Sequence, residues 1–158
     1  MNEIQSKSRI EQIRAFTLIE ILVVVALIAL LSGIGLWWLA DSRAYGRDSA
    51  RVSDMQMVSL ALEQYYGACR QYPEALDLAS ANGCPTGVTL ADFLPAIPTD
   101  PSGVGYDYAA SGSGNDHDAF VLRATLERHH PALDTDLDGT LHKGVSLDCT
   151  DPFFCIGS

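Results

Sequence analysis

An uncharged run of twenty residues, 21–40, constrains this chain more than any other feature. At about 1.5 Å per residue, a helix of that length spans roughly 30 Å, the thickness of the hydrocarbon core of a bilayer. A cleavable secretory signal is the main alternative, but its apolar core is only about 7 to 15 residues long and ends at a small-x-small site. The run is longer and "LWWLADSRA" offers no convincing site of that kind, so the sequence predicts a membrane-spanning helix.

Glu20 lies directly before the run, in a stretch that is almost all apolar from Phe16 onward. A charge inside a bilayer is costly, so this carboxylate needs an explanation. One is a position at the level of the headgroups, where the dipole of a helix start favours an acidic residue modestly. The other is a pair with a cation, since a buried carboxylate is tolerated when it gains a charged, hydrogen-bonded partner.

The remainder of the chain is acidic. The formal net charge is −10, and the first fifteen residues contribute +1, so the rest carries −11. Such a surface repels phosphate backbones, and we therefore expect no nucleic-acid binding. The positive-inside rule does not assign an orientation, because the basic residues on the two sides of the run balance: Lys7, Arg9 and Arg14 against Arg43, Arg47 and Arg51.

The cysteines do assign an orientation. All four follow the apolar run, and neither pair has the two-residue spacing of a zinc ribbon. An even count in a small domain beyond a membrane segment predicts disulfides in an oxidising compartment, so the C-terminal part lies outside the cytoplasm. Of the three possible pairings, Cys69–Cys84 with Cys149–Cys155 closes the shortest loops. Buried free thiols in a cytosolic domain are the alternative.

The N-terminal residues carry a resemblance to a known family. The segment "RAFTLIEILVVVALIALLSGIG" resembles the start of type IV pilins and of the pseudopilins of type II secretion systems: a short basic leader, a cleavage site before a Phe, then Thr-Leu-Ile-Glu opening a long apolar helix. The resemblance implies that a prepilin peptidase cuts between Ala15 and Phe16 on the cytoplasmic face, and that the new amino group of Phe16 is methylated. The family usually has Gly before the cut, where this chain has Ala15.

The resemblance also implies a role for Glu20. In a filament of staggered helices, its carboxylate neutralises the Phe16 amine of a neighbouring subunit and so sets the register. The physics of a buried carboxylate agrees with this pair, because the amine is the cationic partner that such a group requires.

A structural subunit is the function implied by the resemblance. The precursor is held in the inner membrane with its head outside the cytoplasm, is processed, and then joins a membrane-rooted helical filament. The implied partners are copies of itself, other pilin-like subunits, the prepilin peptidase and an inner-membrane assembly platform. The alternative is a single-pass membrane protein whose external head binds calcium or another ligand. We predict no enzymatic activity and no catalytic residues, because the chain lacks a nucleophile motif, a phosphate loop and a paired-carboxylate scaffold.

An amphipathic pattern replaces the apolar run after Ala40. Apolar residues recur every three or four positions, which predicts that one face of a helix packs on a core. The stripe consists of Val52, Met55, Val58 or Ser59, Leu62, Tyr65 and Cys69. Gly46 is a candidate bend, and Gly67 followed by Pro73 limits where the helix can end. If it is continuous, the helix runs from about Phe16 to Tyr66.

Three strand candidates follow a linker rich in Pro and Gly: "VGYDYA", "AFVLRATLE" and "GTLHKGVSL". A long helix on a small antiparallel sheet of about three strands predicts the α+β class, and the resemblance implies the type IV pilin fold. The segment "LPAIPTDPSGVGYDY" resembles the linker and first strand of major pseudopilins, which often have Trp where this chain has Ser102. We divide the chain into a leader 1–15, a transmembrane or filament-core helix 16–40, an amphipathic helix half 41–70, a linker 71–104, and a β-sheet head with a C-terminal loop, 105–158. That loop includes the segment "CTDPFFC".

The segment "DTDLDGT" matches the first half of a calcium loop, with carboxylates at alternate positions and Gly139 for the sharp turn. The second half departs from that pattern, because the twelfth position is Val145 rather than a bidentate Glu. A solvated acidic turn is the alternative, and the resemblance favours calcium, which major pseudopilins bind in their C-terminal loops. The predicted ligands are the side chains of Asp134, Asp136 and Asp138, the carbonyl of Thr140, and Asp148 or Asp151.

Overall fold

The computed structural model describes residues 16–112 and 117–158, with residues 34–39 described by their backbone alone. The predicted leader, including Ala15, lies outside the described residues. The described chain forms two units, which divide between Ala40 and Asp41. Its elements are helix α1 (Leu18–Cys69), the 3-10 helices η1 (Leu90–Asp92) and η2 (Pro131–Asp134), and strands β1 (Asp107–Ala110), β2 (Phe120–Thr125), β3 (Leu141–His142), β4 (Val145–Ser146) and β5 (Phe153–Gly157).

The first unit contains the N-terminal part of α1. Thr17 precedes the helix, and its hydroxyl oxygen accepts the Glu20 amide at 3.3 Å, which satisfies one of the amides that a helix start leaves free. The large apolar side chains of residues 16–31 are exposed, and Leu18 is the most exposed of them at 83%.

None of the helices in the described residues combines the length and the apolar character needed to cross a membrane.

The second unit, Asp41–Ser158, is built on a three-stranded antiparallel sheet in the order β1-β2-β5. Tyr108 of β1 lies opposite Leu122 of β2, which in turn lies opposite Ile156 of β5. One face of the sheet packs on the amphipathic half of α1, because side chains of β2 and of the helix share one buried cluster. The α+β class is therefore confirmed.

The core between helix and sheet contains most of the predicted stripe. Met55, Val58, Leu62, Tyr65 and Cys69 are buried, whereas Val52 is half-buried. From the sheet, Phe120, Leu122, Ala124 and Phe154 complete the cluster, and Leu90 and Leu94 of the linker cover it. The helix face defined by the 3.6-residue period thus packs against the β2 face defined by the two-residue period.

The other face of the sheet is also covered. Strands β3 and β4 form a hairpin, and Val145 packs against Val121 and both C-terminal cysteines in a second, smaller cluster. Consecutive residues of β2 are buried on opposite faces for this reason, where the alternation of the sequence predicts one buried face only.

Two strand predictions are wrong in detail. The segment "GTLHKGVSL" is a hairpin outside the main sheet, turning at Lys143 and Gly144, both of which have positive φ (44° and 85°) as the tight turns of hairpins require. The third strand of the main sheet is β5, which the sequence analysis places in a C-terminal loop. Its register is set by pairing with β2, a contact between residues about 30 positions apart in the chain.

The structure contains two disulfide bonds, Cys69–Cys84 and Cys149–Cys155. The first joins the last residue of α1 to the linker, where Tyr65 also donates to the carbonyl of Asn82 at 2.9 Å. The second closes the loop that leads into β5. The predicted presence of disulfides is confirmed.

Candidate functional site

The start of α1 has the pattern of a capping box, a Thr followed three residues later by a Glu. Thr17 caps the helix, and Glu20 lies in the first turn, where the partial positive charge of the helix start favours a carboxylate. Phe16 is 75% exposed and Glu20 is exposed as well. In the part of the chain that the structure describes, no basic side chain forms an ion pair with Glu20.

This arrangement leaves the Glu20 carboxylate accessible to a cation from another molecule. Glu20 lies four positions after Phe16, and both lie at a helix start whose apolar neighbours are exposed. Chemically, the Glu20 carboxylate can bind one positive charge of another molecule, while the exposed apolar side chains around it contact apolar groups of that molecule.

Asp136 is the predicted calcium ligand with the most unusual surroundings. One of its carboxylate oxygens, Oδ2, accepts the Cys155 amide at 2.8 Å, while Oδ1 is buried and has no hydrogen-bond partner among the described residues. Burial raises the pKa of Asp136, and the negative charges of Asp138 and Asp151 raise it further. A buried acceptor without a partner is costly, and a cation would satisfy it.

The other predicted ligands do not converge on Asp136. Asp134 is exposed and lies 3.8 Å from His129, and Asp138 and Thr140 are exposed as well. Asp148 accepts the Thr150 amide at 3.0 Å, a hydrogen bond that lowers its pKa. Across residues 16–112 and 117–158, no three acidic, His or Cys side chains are placed to hold a metal ion. Among the predicted ligands in the described residues, Asp136 is the one with a buried carboxylate oxygen that has no hydrogen-bond partner.

A buried ionic cluster, which we call the Arg51 cluster, consists of Arg51 with Asp48, Asp100 and Glu127. Arg51 is 2% exposed and donates to Asp48 at 2.7 Å, to Glu127 at 2.9 Å and through two nitrogens to Asp100. The guanidinium lowers the pKa of Asp100 to about 2, and Arg47 with Arg51 lowers that of Glu127 to about 2 as well. The same carboxylates raise the pKa of Arg51.

The Arg51 cluster connects three segments that are distant in sequence. Asp48 and Arg51 come from α1, Asp100 from the linker, and Glu127 from the residues after β2. Oδ1 of Asp48 also accepts the main-chain amide of Glu127 at 2.9 Å, and Oδ2 accepts the main-chain amide of Arg128 at 3.1 Å, so both oxygens are used. At the surface, Arg47 pairs with Glu127 and Arg128 pairs with Asp41.

Sequence reasoning missed the Arg51 cluster. A signal was present, because Arg51 lies one turn before Met55 on the predicted buried stripe, with Asp48 three residues earlier on the same face. A charge pair within the apolar stripe of an amphipathic helix indicates a buried ion pair.

Known proteins resemble this chain in its N-terminal segment and over more than two thirds of its length. A family model described as "prokaryotic N-terminal methylation motif" matches residues 12–36. The type II secretion system core protein G of Pseudomonas aeruginosa is 28% identical over 129 residues, which cover 77% of this chain and 91% of the relative. The protein of the same name from Vibrio cholerae is 28% identical over 115 residues, 69% of this chain and 79% of the relative. No solved structure matches significantly.

The motif match contains Phe16 and Glu20, and the homology extends beyond it into the head. The chain therefore carries the N-terminal methylation motif and is homologous to proteins named type II secretion system core protein G, which confirms the resemblance to the type IV pilin and pseudopilin family.

Proposed function

We propose that this chain is a structural subunit of a type II secretion pseudopilus, a filament rooted in the membrane, and that it is added to the filament through the N-terminal part of α1. The observation that carries the proposal is the exposure of the apolar side chains of residues 16–31 on a helix that begins with a capped Thr-x-x-Glu turn. A soluble protein rarely exposes an apolar surface of this extent without a partner for it.

Two environments cover this apolar surface in turn. Before assembly, lipid covers it and anchors the precursor, with the head outside the cytoplasm where the disulfides form. After assembly, the same side chains contact the helices of neighbouring subunits. Covering a Val, Leu or Ile side chain stabilises the chain by about 1.5–3 kcal/mol in either environment. Transfer from lipid to filament therefore loses little of this stabilisation.

Glu20 gives the transfer its specificity. Cleavage between Ala15 and Phe16 creates an amine four residues before the carboxylate, and methylation of the amine keeps its positive charge. A neighbouring copy then supplies that amine to Glu20, and the pair sets the register between helices. The exposure of Glu20 supports this role, because its carboxylate is open to a partner from outside the chain.

The homology supports a filament subunit over an anchored ligand-binding protein. The match to the Pseudomonas aeruginosa protein spans 91% of that relative, so it includes the head as well as the anchor. The partners proposed for the chain are copies of itself, other pilin-like subunits, a prepilin peptidase and an inner-membrane assembly platform.

We also propose that the head binds calcium through Asp136, with Asp138 or Asp151 beside it. The support is the buried Oδ1 atom of Asp136, which has no hydrogen-bond partner among the described residues, and the acidic neighbours that raise its pKa. Bound calcium would neutralise this carboxylate and hold the segment before β3 against β5.

Co-expression of the full chain with a prepilin peptidase tests the proposed function. Mass spectrometry should show that the product lacks fifteen residues and begins with Phe16 bearing one methyl group. The variant Ala15→Gly should be cleaved at least as fast as the parent, because a glycine meets the steric demand of the peptidase at least as well. A parent chain that keeps its full length beside an active peptidase would refute the proposal.

A further inference from the structure

The short helix η2 is capped by a histidine. His130 directly precedes η2, and its ring atom Nδ1 accepts the Ala132 amide at 3.1 Å. Residues at this position are usually Ser, Thr, Asp or Asn, whose side-chain oxygens accept the hydrogen bond at neutral pH. Histidine accepts only while it is neutral, because protonation places a hydrogen on both ring nitrogens. The cap of η2 therefore depends on the charge of one imidazole.

The His130 ring also contacts helix α1. Its Nε2 atom lies 3.5 Å from the Ser49 hydroxyl oxygen, and the ring stacks on Tyr45 with centroids 5.1 Å apart. Since Nδ1 accepts from Ala132, the proton of the neutral ring is on Nε2, where it donates to Ser49. One ring in one protonation state thus joins α1 to η2.

Helix η2 contributes to the core of the head. Leu133 of η2 is 6% exposed and belongs to the buried cluster between helix and sheet. Helix η2 also contacts β5, and the loop after it contains Asp136, which accepts the Cys155 amide. A change at the start of η2 therefore acts on a segment that covers the core and contacts the last strand of the sheet.

The charged side chains beside His130 on α1, on residues 127–129 and on η2 have partners of their own. They form the pairs Asp41–Arg128, Arg47–Glu127, Asp48–Arg51 and, at 3.8 Å, Asp134–His129. No carboxylate of the described residues forms an ion pair with His130 itself. A proton added to His130 thus gains no anionic partner there, while it removes the hydrogen bond to Ala132.

Tyr45 attracts a protonated ring only weakly. It is 48% exposed, and water weakens the attraction between a cation and an aromatic face. The hydrogen bond from Ala132, in contrast, is lost completely, because a protonated Nδ1 has no lone pair to accept it. The balance of the two effects favours separation of η2 from the His130 ring in acid.

We propose that His130 is a pH-sensitive latch: the neutral ring holds η2 on helix α1, and protonation of the ring releases η2. Imidazoles change their charge between pH 5 and 8, so the stability that the cap provides is present at pH 8 and is lost toward pH 5. The inference goes beyond the proposed function and does not depend on it, because it needs only contacts within the head.

The variant His130→Asn tests the latch, because the side-chain oxygen of asparagine caps a helix and does not titrate. Urea denaturation of the full chain in detergent gives the equilibrium constant for folding at pH 8 and at pH 5. Between these values, the constant should fall at least about fivefold further for the parent than for the variant. His129→Asn is the matched control, since the neighbouring His129 side chain is 72% exposed, and it should follow the parent. Equal falls for the parent and His130→Asn would overturn the inference.

Nitrogen NMR of the histidine rings tests the geometry in the parent chain. At pH 8 the His130 ring should carry its proton on Nε2, and the Ala132 amide signal should shift as the ring takes up a second proton. His130→Asn assigns the ring, because it removes one of four histidine signals. A proton on Nδ1 at pH 8, or an Ala132 amide that does not respond to the titration of His130, would show that the latch does not exist.

Discussion

Arg51 shows how much one buried side chain can organise. Its guanidinium satisfies carboxylates from the helix, the linker and the end of β2, and all but Glu127 are at most 7% exposed. Breaking such a cluster by removing one member leaves the remaining charges buried and unpaired, which costs far more than the loss of a surface ion pair.

The variant Arg51→Ala should lower the free energy of unfolding by about 3–5 kcal/mol, because Asp48 and Asp100 then lose their cation. Chemical denaturation measures the change. The matched control is Arg128→Ala, which removes a guanidinium of 39% side-chain exposure that pairs with Asp41 and should cost no more than about 1 kcal/mol. Equal losses from the two variants would show that the Arg51 cluster is no more important than a surface pair.

Asp100 predicts a loss of stability in acid. Its pKa falls from 3.8 to about 2 on folding, so the folded state holds its proton less tightly than the unfolded state does. The resulting stabilisation, about 2 kcal/mol, is complete above pH 4 and is lost as the pH falls through about 2. The parent should therefore lose more stability than Asp100→Asn between these two pH values in denaturation experiments. Parallel curves for the two proteins would contradict this assignment.

At the scale of the elements, α1 ends in a conformation that its sequence does not favour. Arg70 follows the helix with a φ of +63°, and its amide donates to the Tyr66 carbonyl at 2.8 Å, a left-handed C-cap that usually contains glycine. A residue with a Cβ is strained there.

The variant Arg70→Gly should accordingly raise the free energy of unfolding by about 0.5–1 kcal/mol, because glycine adopts this conformation without strain. Thermal and chemical denaturation measure the gain. Arg70→Ala is the control, since it removes the guanidinium but keeps the Cβ, and it should give no gain. A gain of the same size from alanine would attribute the effect to the charge.

The loop around Asp136 also links elements of the fold. It connects η2 to the β3–β4 hairpin and contacts β5. Calcium should raise the melting temperature of the processed full chain, and chelation should reverse the rise. Asp136→Asn should abolish the response without lowering stability in the absence of calcium, since the amide oxygen can still accept the Cys155 amide and no charge is buried. Asp92→Asn is the control and should keep the response. A melting temperature that calcium leaves unchanged in the parent would refute the calcium proposal.

At the scale of the whole molecule, the head buries an apolar core between its helix and its sheet, whereas the N-terminal part of α1 exposes its apolar side chains. On the proposed function, lipid or neighbouring subunits cover the exposed N-terminal segment, whereas the head buries its apolar core by its own contacts. Changes at Glu20 should therefore affect assembly and leave the head intact.

The variant Glu20→Ala should remain in the membrane fraction and be cleaved, but should fail to enter filaments, because the carboxylate that pairs with the Phe16 amine is gone. Immunoblots of sheared filaments and of membranes measure the two pools. Glu74→Ala, which removes an exposed carboxylate of the linker, is the control and should assemble normally. Normal filaments from Glu20→Ala would refute the register role.

Local patterns predicted most of the fold. The helix stripe and the alternation of β2 depend on neighbours within a few residues, so their periods are visible in the sequence. Strand β5 was missed because five residues inside and after a disulfide loop carry little pattern of their own, and only pairing with β2 makes them a strand. The N-terminal motif was recognisable because Phe16, Thr17 and Glu20 lie within one helical turn and a half. In the Arg51 cluster, the pair of Asp48 and Arg51 left a local signal, but the contact with Asp100 did not, since Asp100 lies 49 positions away.

The head is attached to its helix at two places, and this has a mechanical consequence. The Arg51 cluster holds one end of the amphipathic half of α1, and the Cys69–Cys84 bond with the Tyr65–Asn82 contact holds the other. These attachments lie eighteen positions apart, about 27 Å along the helix. A pull along the helix axis is shared by both attachments and by the apolar core between them, so none of them yields alone. A subunit built this way can transmit a pushing or pulling force from its helix to its head without peeling the sheet away.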